Sequence, residues 1–205
     1  MLVGLDLDNT IVSYDVAINE LSRQHLDLPA DLPRTKLDIR DYLRSQCREE
    51  EWTVFQGQLY GPGMCFAQLF PGVLSSLHYL VEKGFQLVII SHRSRQPYAG
   101  PSYDLHSFAR SWVKENLLST GLFTTYSSFS PVNFLETREA KIQLISDISC
   151  DYFLDDLPEV LCDTLFPSNC VPILFDPNNK HNFPDDERIA TITSWSELSN
   201  FIFKS

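Results

Sequence analysis

The chain has 205 residues, of which 43% are hydrophobic and 21% are charged, and its formal net charge is −11. This composition is typical of a globular protein with a sizeable core and excludes a largely disordered chain. The acidic balance repels nucleic acid backbones and anionic membranes, so neither is an expected partner. A small phosphorylated molecule remains compatible, because a bound divalent cation can reverse the local field.

The cysteines and the amino terminus bear on the cell compartment. The sequence has five cysteines and no Cys-x-x-Cys pair, so neither a disulfide scaffold nor a structural zinc site is expected. The first residues have the pattern of a core strand and not that of a signal peptide, and no run is long enough to span a bilayer. We therefore expect reduced thiols and a cytoplasmic protein.

Apolar runs of strand length recur along the chain, with helical patterns between them. The predicted strands are Leu2–Leu7, Phe85–Ile90, a weaker Phe123–Tyr126, Asp151–Leu154, Val171–Phe175 and an edge strand at Ile189–Thr193. Outside residues 14–69, the predicted helices are Val73–Val81, Leu105–Val113, a helix capped by Thr137, a short one from Pro158 and a last one opened by the Ser194–Glu197 capping box. This alternation predicts an α/β fold, with a Rossmann-like, mostly parallel sheet and helices on both faces.

The segment from Tyr14 to Leu69 interrupts the alternation, because it contains no clear strand. Helical patterns occur near Val16–Leu26, near Ile39–Leu43 behind a capping box at Thr35, and over Glu50–Leu59. We predict a core formed by 1–13 and 70–205 and a small helical cap inserted as 14–69. Such a segment can act as a lid over an active site, or it can only cover core surface.

Two aspartates follow the first strand, at the sequence Leu5-Asp6-Leu7-Asp8-Asn9-Thr10. In open α/β sheets, ligands bind beyond the carboxyl ends of the strands, which is where Asp6 and Asp8 fall. Two carboxylates close together in a dry crevice need a cation or a proton to offset their repulsion. The alternative is a strand end with two solvated carboxylates.

Polar residues follow two later strands of the predicted sheet. Ser91 comes directly after the second strand, followed by His92 and Arg93, and the acidic pair Asp155-Asp156 ends a later one. Four carboxylates at one sheet edge demand a cation, and carboxylate oxygens without histidine or thiolate neighbours favour Mg²⁺. A lysine or arginine from the preceding helix could neutralise the same crevice. The candidates are Lys141 and Arg138, one turn apart.

These motifs, in this order, resemble the four motifs of the haloacid dehalogenase-like (HAD) hydrolase superfamily. The resemblance covers residues 2 to about 160 and includes the Phe70-Pro71-Gly72-Val73 helix start; one departure is Asn9, where many members carry glycine. It implies that Asp6 is a nucleophile, that Asp8 is a general acid and base, and that Ser91 and Lys141 hold phosphoryl oxygens. It also implies Mg²⁺ bound by Asp6, the backbone carbonyl of Asp8 and one acid of the last pair, with Asp156 favoured over Asp155.

The resemblance implies an activity as well. Because a carbon–halogen hydrolase has no oxygen leaving group to protonate, Asp8 favours a phosphatase that hydrolyses a small phosphomonoester through an aspartyl-phosphate. The alternatives are a non-catalytic Mg²⁺- and phosphate-binding regulatory module and a phosphotransferase with an acceptor other than water. The candidate phosphate- or substrate-binding residues are Ser91, His92, Arg93, Lys141 and Asn9. The substrate and the oligomeric state cannot be deduced from the sequence.

Overall fold

The fold is described from a computed structural model that covers residues 1–124, 129–180 and 188–203. Within these ranges the chain forms eight strands and eight α-helices. The strands are β1 (Leu2–Leu5), β2 (Val12–Ser13), β3 (Gln68–Leu69), β4 (Gln86–His92), β5 (Val132–Leu135), β6 (Tyr152–Asp155), β7 (Val171–Phe175) and β8 (Ala190–Ile192). The helices are α1 (Asp15–His25), α2 (Lys36–Ser45), α3 (Glu49–Tyr60), α4 (Val73–Glu82), α5 (Leu105–Asn116), α6 (Arg138–Asp147), α7 (Pro158–Leu161) and α8 (Trp195–Ile202).

Six strands form one parallel sheet in the order β5-β4-β1-β6-β7-β8. This is the doubly wound order. The chain first adds β4 and β5 on one side of β1 and then crosses to add β6, β7 and β8 on the other side. The reversal lies between β1 and β6, where Leu5 is paired with Leu154. Ligands bind at this point in open α/β sheets, so the topology itself indicates where a site should lie. The α/β, Rossmann-like class predicted from the sequence is confirmed.

The two faces of the sheet have different helices. On one face, Val88 and Ile90 of β4 belong to a buried cluster that includes Ile142 and Ile145 of α6. On the other face, Phe175 contacts the ring of Trp195 in α8, and α8 packs against α4. Burial on both faces explains why the central strands are almost continuously apolar.

By contacts, the described chain divides into two compact units. The first comprises Met1–Val12, Leu69–His92 and Leu117–Ser205; the second comprises Ser13–Gln68 and Arg93–Asn116. Helices α1, α2, α3 and α5 belong to the second unit, where Trp52, Phe55 and Leu59 of α3 are buried. Residues 93–116 therefore group with the inserted segment, whereas the sequence assigned them to the core. The function of 14–69 as a cap stays a prediction.

The third strand of the sheet differs from the prediction. Residues Phe123 and Thr124 are not in a strand, and the rest of the predicted strand Phe123–Tyr126 lies outside the described residues. The strand that pairs with β4 is β5, which begins at Val132 after Ser130 and Pro131. A four-residue edge strand next to turn-forming residues has too short a hydrophobic pattern to be predicted from the sequence.

Three of the five cysteines are exposed and two are buried. Cys150 and Cys170 lie in the core cluster beside α6, and among the described residues none of the five cysteines forms a disulfide. Burial raises the pKa of the Cys150 thiol to about 12. Among the described residues, no helix has the length and apolar character needed to cross a membrane.

Candidate active site at the carboxyl edge of the sheet

Three carboxylates meet where the strand order reverses. Asp6 directly follows β1, and its backbone N–H donates to the Leu154 carbonyl at 2.9 Å. Asp155 is the last residue of β6, and Asp156 is the next. One carboxylate oxygen from each of these three aspartates lies within 4.8 Å of the others. The structure thus brings the early and the late acidic residues together.

Lys141 lies between two of these acids. Its Nζ is 2.6 Å from Oδ1 of Asp6 and 2.7 Å from Oδ2 of Asp155, and its side chain is 0% exposed. Lys141 lies in the first turn of α6. Thr137 caps this helix by accepting a hydrogen bond from the Ala140 backbone N–H, as expected from the sequence. A buried charge is tolerated only when it is paired, and Lys141 has two carboxylate partners.

The other candidate cation points elsewhere. Arg138 is one turn earlier in α6, its side chain is 39% exposed, and it approaches Asp163 at 3.5 Å and Glu139 at 3.8 Å. The structure therefore brings Lys141, and not Arg138, to the acidic cluster.

Burial shapes the electrostatics of this cluster. It raises the pKa of Asp6 to about 6, although Lys141 acts in the opposite direction and Asp155 and Asp8 reinforce the rise. Burial also raises the pKa of Asp155 above its usual range, again against Lys141. For Lys141, burial disfavours the ammonium, but Asp155 and Asp6 outweigh it and the pKa lies above its usual range. The cluster has more acid than one lysine neutralises, which is the condition under which a divalent cation binds well.

Asp8 and Asn9 occupy the loop after β1. Asp8 is half-buried and forms an isolated parallel bridge with Val12, while the Leu7 carbonyl accepts from the Ile11 and Val12 backbone N–H groups. Asn9 has φ = 58°. This left-handed conformation suits glycine or asparagine, which explains why asparagine is acceptable where the resembled family often has glycine.

Ser91 and His92 are the last two residues of β4. Ser91 is buried, and within the described residues its Oγ has no hydrogen-bond partner. His92 is half-buried and its Nδ1 is likewise buried without a partner there. Burial, followed by the charge of Lys141, lowers the pKa of the His92 imidazole below its usual range. Both residues lie in the same unit as the carboxylates.

Arg93 groups with the second unit. Its guanidinium donates to the Tyr60 carbonyl at 3.2 Å and to Met64 Sδ at 3.8 Å, and it lies over the Tyr60 ring at 5.7 Å. These contacts all lie within the second unit. Its function as a phosphate-binding residue stays a prediction.

Two buried polar residues at this sheet edge were not singled out from the sequence. Thr10 is fully buried, and its carbonyl accepts a hydrogen bond from Trp195 Nε1 at 2.9 Å. Asp176 follows β7 in the way that Asp6 follows β1, and its Oδ1 accepts from the Lys180 backbone N–H at 3.0 Å. Asp176 could have been singled out in the sequence because it is an acid directly after an apolar strand. Its hydrogen bond with the Lys180 backbone N–H makes it part of a turn.

Comparisons with known proteins identify the fold. No family model matches the chain. A protein of Oceanobacillus iheyensis named as a candidate nucleotidase is 22% identical over 205 residues, covering 97% of each chain. A predicted phosphatase from Clostridium acetobutylicum has a TM-score of 0.62 at 16% identity, covering 100% of this chain and 98% of that one. The magnesium-bound HAD hydrolase YfnB from Bacillus subtilis has a TM-score of 0.61 at 12% identity, covering 98% and 97%.

The chain therefore has the fold of the HAD-superfamily hydrolases, as the motifs led us to expect. The relatives are similar to it along nearly their whole length.

Proposed function

We propose that the protein is a Mg²⁺-dependent phosphatase that hydrolyses a small phosphomonoester through a phosphorylated Asp6. The main support for this proposal is the burial of Lys141, whose ammonium group is ion-paired with both Asp6 and Asp155. A buried lysine between two acids at a strand-order reversal holds a nucleophilic carboxylate ionised and adds a positive charge for a phosphoryl group. The fold relatives named as a phosphatase and as a candidate nucleotidase support the same class of activity.

The donor set fits magnesium. The clustered groups are carboxylates, without a histidine or a thiolate among them, and their oxygens lie within 4.8 Å of one another. Asp6 and Asp156 would hold the ion with the backbone carbonyl of Asp8. Both oxygens of Asp155 have partners, Oδ2 in Lys141 and Oδ1 in the Leu157 backbone N–H at 3.1 Å, whereas Lys141 contacts Asp6 through Oδ1. When bound, Mg²⁺ would neutralise the excess acid charge and draw electron density from the phosphoryl oxygens.

The reaction follows from the residues around Asp6. In the first step, an Asp6 carboxylate oxygen bonds to phosphorus, the bond from phosphorus to the ester oxygen breaks, and Asp8 gives its proton to that oxygen. In the second step, Asp8 takes a proton from water, whose oxygen bonds to phosphorus and releases phosphate from Asp6. Lys141 and the Ser91 hydroxyl would donate hydrogen bonds to the phosphoryl oxygens in both steps.

The test is phosphate release from a panel of sugar phosphates, nucleotides and other phosphomonoesters in the presence of Mg²⁺. We expect wild-type activity on at least one substrate and loss of about three orders of magnitude or more in Asp6→Asn. The matched control is Asp147→Asn, the same change at an exposed position in α6, which should leave the rate unchanged.

Three outcomes would contradict the proposal. Equal phosphate release by wild type and Asp6→Asn would exclude Asp6 as the nucleophile. Tight Mg²⁺ binding without turnover of any substrate would favour the regulatory module. Phosphate found on an added acceptor instead of in solution would favour the phosphotransferase.

A further inference from the structure

Trp195, the first residue of α8, contacts the loop that follows β1. Its side chain is fully buried, and its Nε1 donates a hydrogen bond to the Thr10 carbonyl at 2.9 Å. The two residues are 185 positions apart in the sequence and belong to the same compact unit. This hydrogen bond therefore joins α8 to the loop that contains Asp8.

The loop from Leu7 to Val12 is a turn closed by its own backbone. The Leu7 carbonyl accepts hydrogen bonds from the backbone N–H groups of Ile11 and Val12, at 3.0 and 2.9 Å. Thr10 lies inside this turn, and its buried Oγ1 has no hydrogen-bond partner within the described ranges. The Thr10 side chain thus adds no polar anchor, and the hydrogen bond from Trp195 to the Thr10 carbonyl holds the middle of the turn.

Trp195 is itself held from three directions. Its ring packs against that of Phe175, with 6.2 Å between the ring centroids. Its carbonyl accepts a hydrogen bond from the buried Ser76 hydroxyl at 2.7 Å. Gly72 adopts φ = 87°, and a Cβ added there would lie 3.3 Å from the Trp195 Cβ. The indole N–H is therefore fixed in place, as is required of a group that positions another.

The consequence for the site follows from the short distance along the chain between Thr10 and Asp8. Removing the indole N–H leaves the buried Thr10 carbonyl without this partner, which favours a shift of the turn toward another donor. Asp8 lies two residues before Thr10 in the same turn, so such a shift would move its carboxyl group. The rate of proton transfer depends steeply on the placement of the group that gives or takes the proton.

We propose that Trp195 is a positioning residue for the reaction: its indole N–H fixes the turn that holds Asp8 where it exchanges protons with the leaving group and with water. This inference rests on the proposed function, which assigns those proton transfers to Asp8. Its signature is a dependence on the leaving group, because a leaving group that is already a weak base needs a proton least.

The kinetic test compares two esters that differ in their leaving group. Trp195→Phe removes the N–H group and keeps a buried aromatic ring. We expect kcat/KM for phenyl phosphate to fall about tenfold and that for p-nitrophenyl phosphate to fall by less than about threefold. The matched control is Trp112→Phe in α5, because Trp112 Nε1 is also buried and donates to a backbone carbonyl, that of Ala67 at 3.1 Å. This control should change neither rate.

Hydrogen exchange tests the same anchor without turnover. In Trp195→Phe, the backbone N–H groups of Ile11 and Val12 should exchange about tenfold faster, while those of β4 stay protected. Trp112→Phe should leave both regions as in wild type. Ser76→Ala, which removes the hydrogen bond to the Trp195 carbonyl, should give the same pattern with a change of about threefold. It provides the decisive comparison if Trp195→Phe does not fold.

The outcomes separate this inference from the proposed function. Equal losses for the two esters, no loss for either, or unchanged exchange at Ile11 and Val12 would overturn the assignment of Trp195 even if Asp6 proves to be the nucleophile. Conversely, a leaving-group-selective loss and faster exchange of the turn, with undiminished turnover by Asp6→Asn, would uphold Trp195 and overturn the nucleophile.

Discussion

Two ion-paired sites in the described part of the chain have similar distances and opposite surroundings. In the acidic cluster, Lys141 Nζ lies 2.6 Å from Asp6 and is fully buried. In the second unit, Arg44 lies 2.6 Å from Glu49 and both side chains are at least half exposed. Distance alone does not distinguish the two pairs. Burial does, because both the attraction between charges and the penalty for removing them from water grow in the protein interior.

The pKa directions show the consequence. The pKa of Glu49 is lowered, mainly by its hydrogen bond with Arg44, because water still solvates the carboxylate. The pKa of Asp6 is raised to about 6 despite a partner at the same distance, because burial outweighs the attraction of Lys141. The exposed pair is thus relaxed, whereas the buried cluster holds charge that the fold alone does not fully stabilise. This is the arrangement expected where a cation and an anionic substrate are to be bound.

Removing the cation from the buried cluster should have the largest effect. Lys141→Met leaves Asp6 and Asp155 buried without their shared partner, so we expect the free energy of unfolding to fall by about 3–5 kcal/mol. Phosphate release should fall by a factor on the order of 10²–10³ where the protein remains folded. Denaturant unfolding and steady-state rates measure the two effects.

The control for that variant is Lys114→Met, which removes an exposed lysine from α5. It should change neither stability nor rate. A Lys141→Met protein as stable as wild type would show that the buried pairs contribute no more than the exposed ones.

Replacing the two neighbouring acids should separate metal binding from ion pairing. Asp156→Asn should raise the Mg²⁺ concentration needed for half-maximal activity by about tenfold or more, because it removes a proposed ligand. Asp155→Asn should instead leave that concentration nearly unchanged, because Asp155 is held by Lys141 and by the Leu157 backbone N–H. Metal titrations of both variants test the assignment. If Asp155→Asn shows the larger metal effect, the two assignments are reversed.

The raised pKa of Asp6 predicts a variant that is more stable than wild type. Well below pH 4 the carboxyl is protonated in both the folded and the unfolded protein, so Asp6→Asn should equal wild type. As pH rises from about 4 through about 6, the unfolded protein ionises Asp6 before the folded protein does, so wild type loses stability and Asp6→Asn does not. Without Mg²⁺ at pH 7.5, Asp6→Asn should be more stable by about 1–3 kcal/mol.

Unfolding curves at several pH values, with EDTA, provide the measurement. Added Mg²⁺ should reduce the difference by stabilising wild type preferentially. A difference that does not vary between pH 4 and 7.5 would mean that ionisation of Asp6 is not its cause.

The smallest expected effect comes from the exposed pairs. Arg44→Ala removes the partner of Glu49, yet an exposed pair contributes little because water and salt replace it. We expect no measurable shift of the unfolding midpoint at physiological salt. A clear loss of stability in Arg44→Ala would show that exposed ion pairs contribute as the buried ones do, which contradicts the difference proposed between them.

Sequence reasoning succeeded where local pattern decides structure. The buried strands β1, β4, β6 and β7 were predicted from continuous apolar runs, and the caps at Thr35 and Thr137 were predicted from residue type. At α8 the capping box differs in detail: Glu197 accepts from the backbone N–H of Thr193, and Ser194 makes no side-chain cap bond.

What the sequence left open depends on contacts between distant residues. Lys141 and Arg138 are one turn apart in α6, and only the packing of this helix on β4 shows which of them reaches Asp6. The same holds for the adjacent Asp155 and Asp156: the ion pair of Asp155 with Lys141 and the approach of both acids to Asp6 form only in the folded chain. The short edge strand β5 and the grouping of 93–116 with the second unit likewise follow from tertiary contacts and not from local pattern.

The most direct measurement is to trap the protein during turnover. Wild type mixed with a substrate and Mg²⁺ is quenched in acid, digested and analysed by mass spectrometry. We expect one added phosphoryl group on Asp6 and none in the Asp6→Asn protein. A phosphoryl group on another residue, or none while turnover proceeds, would contradict it.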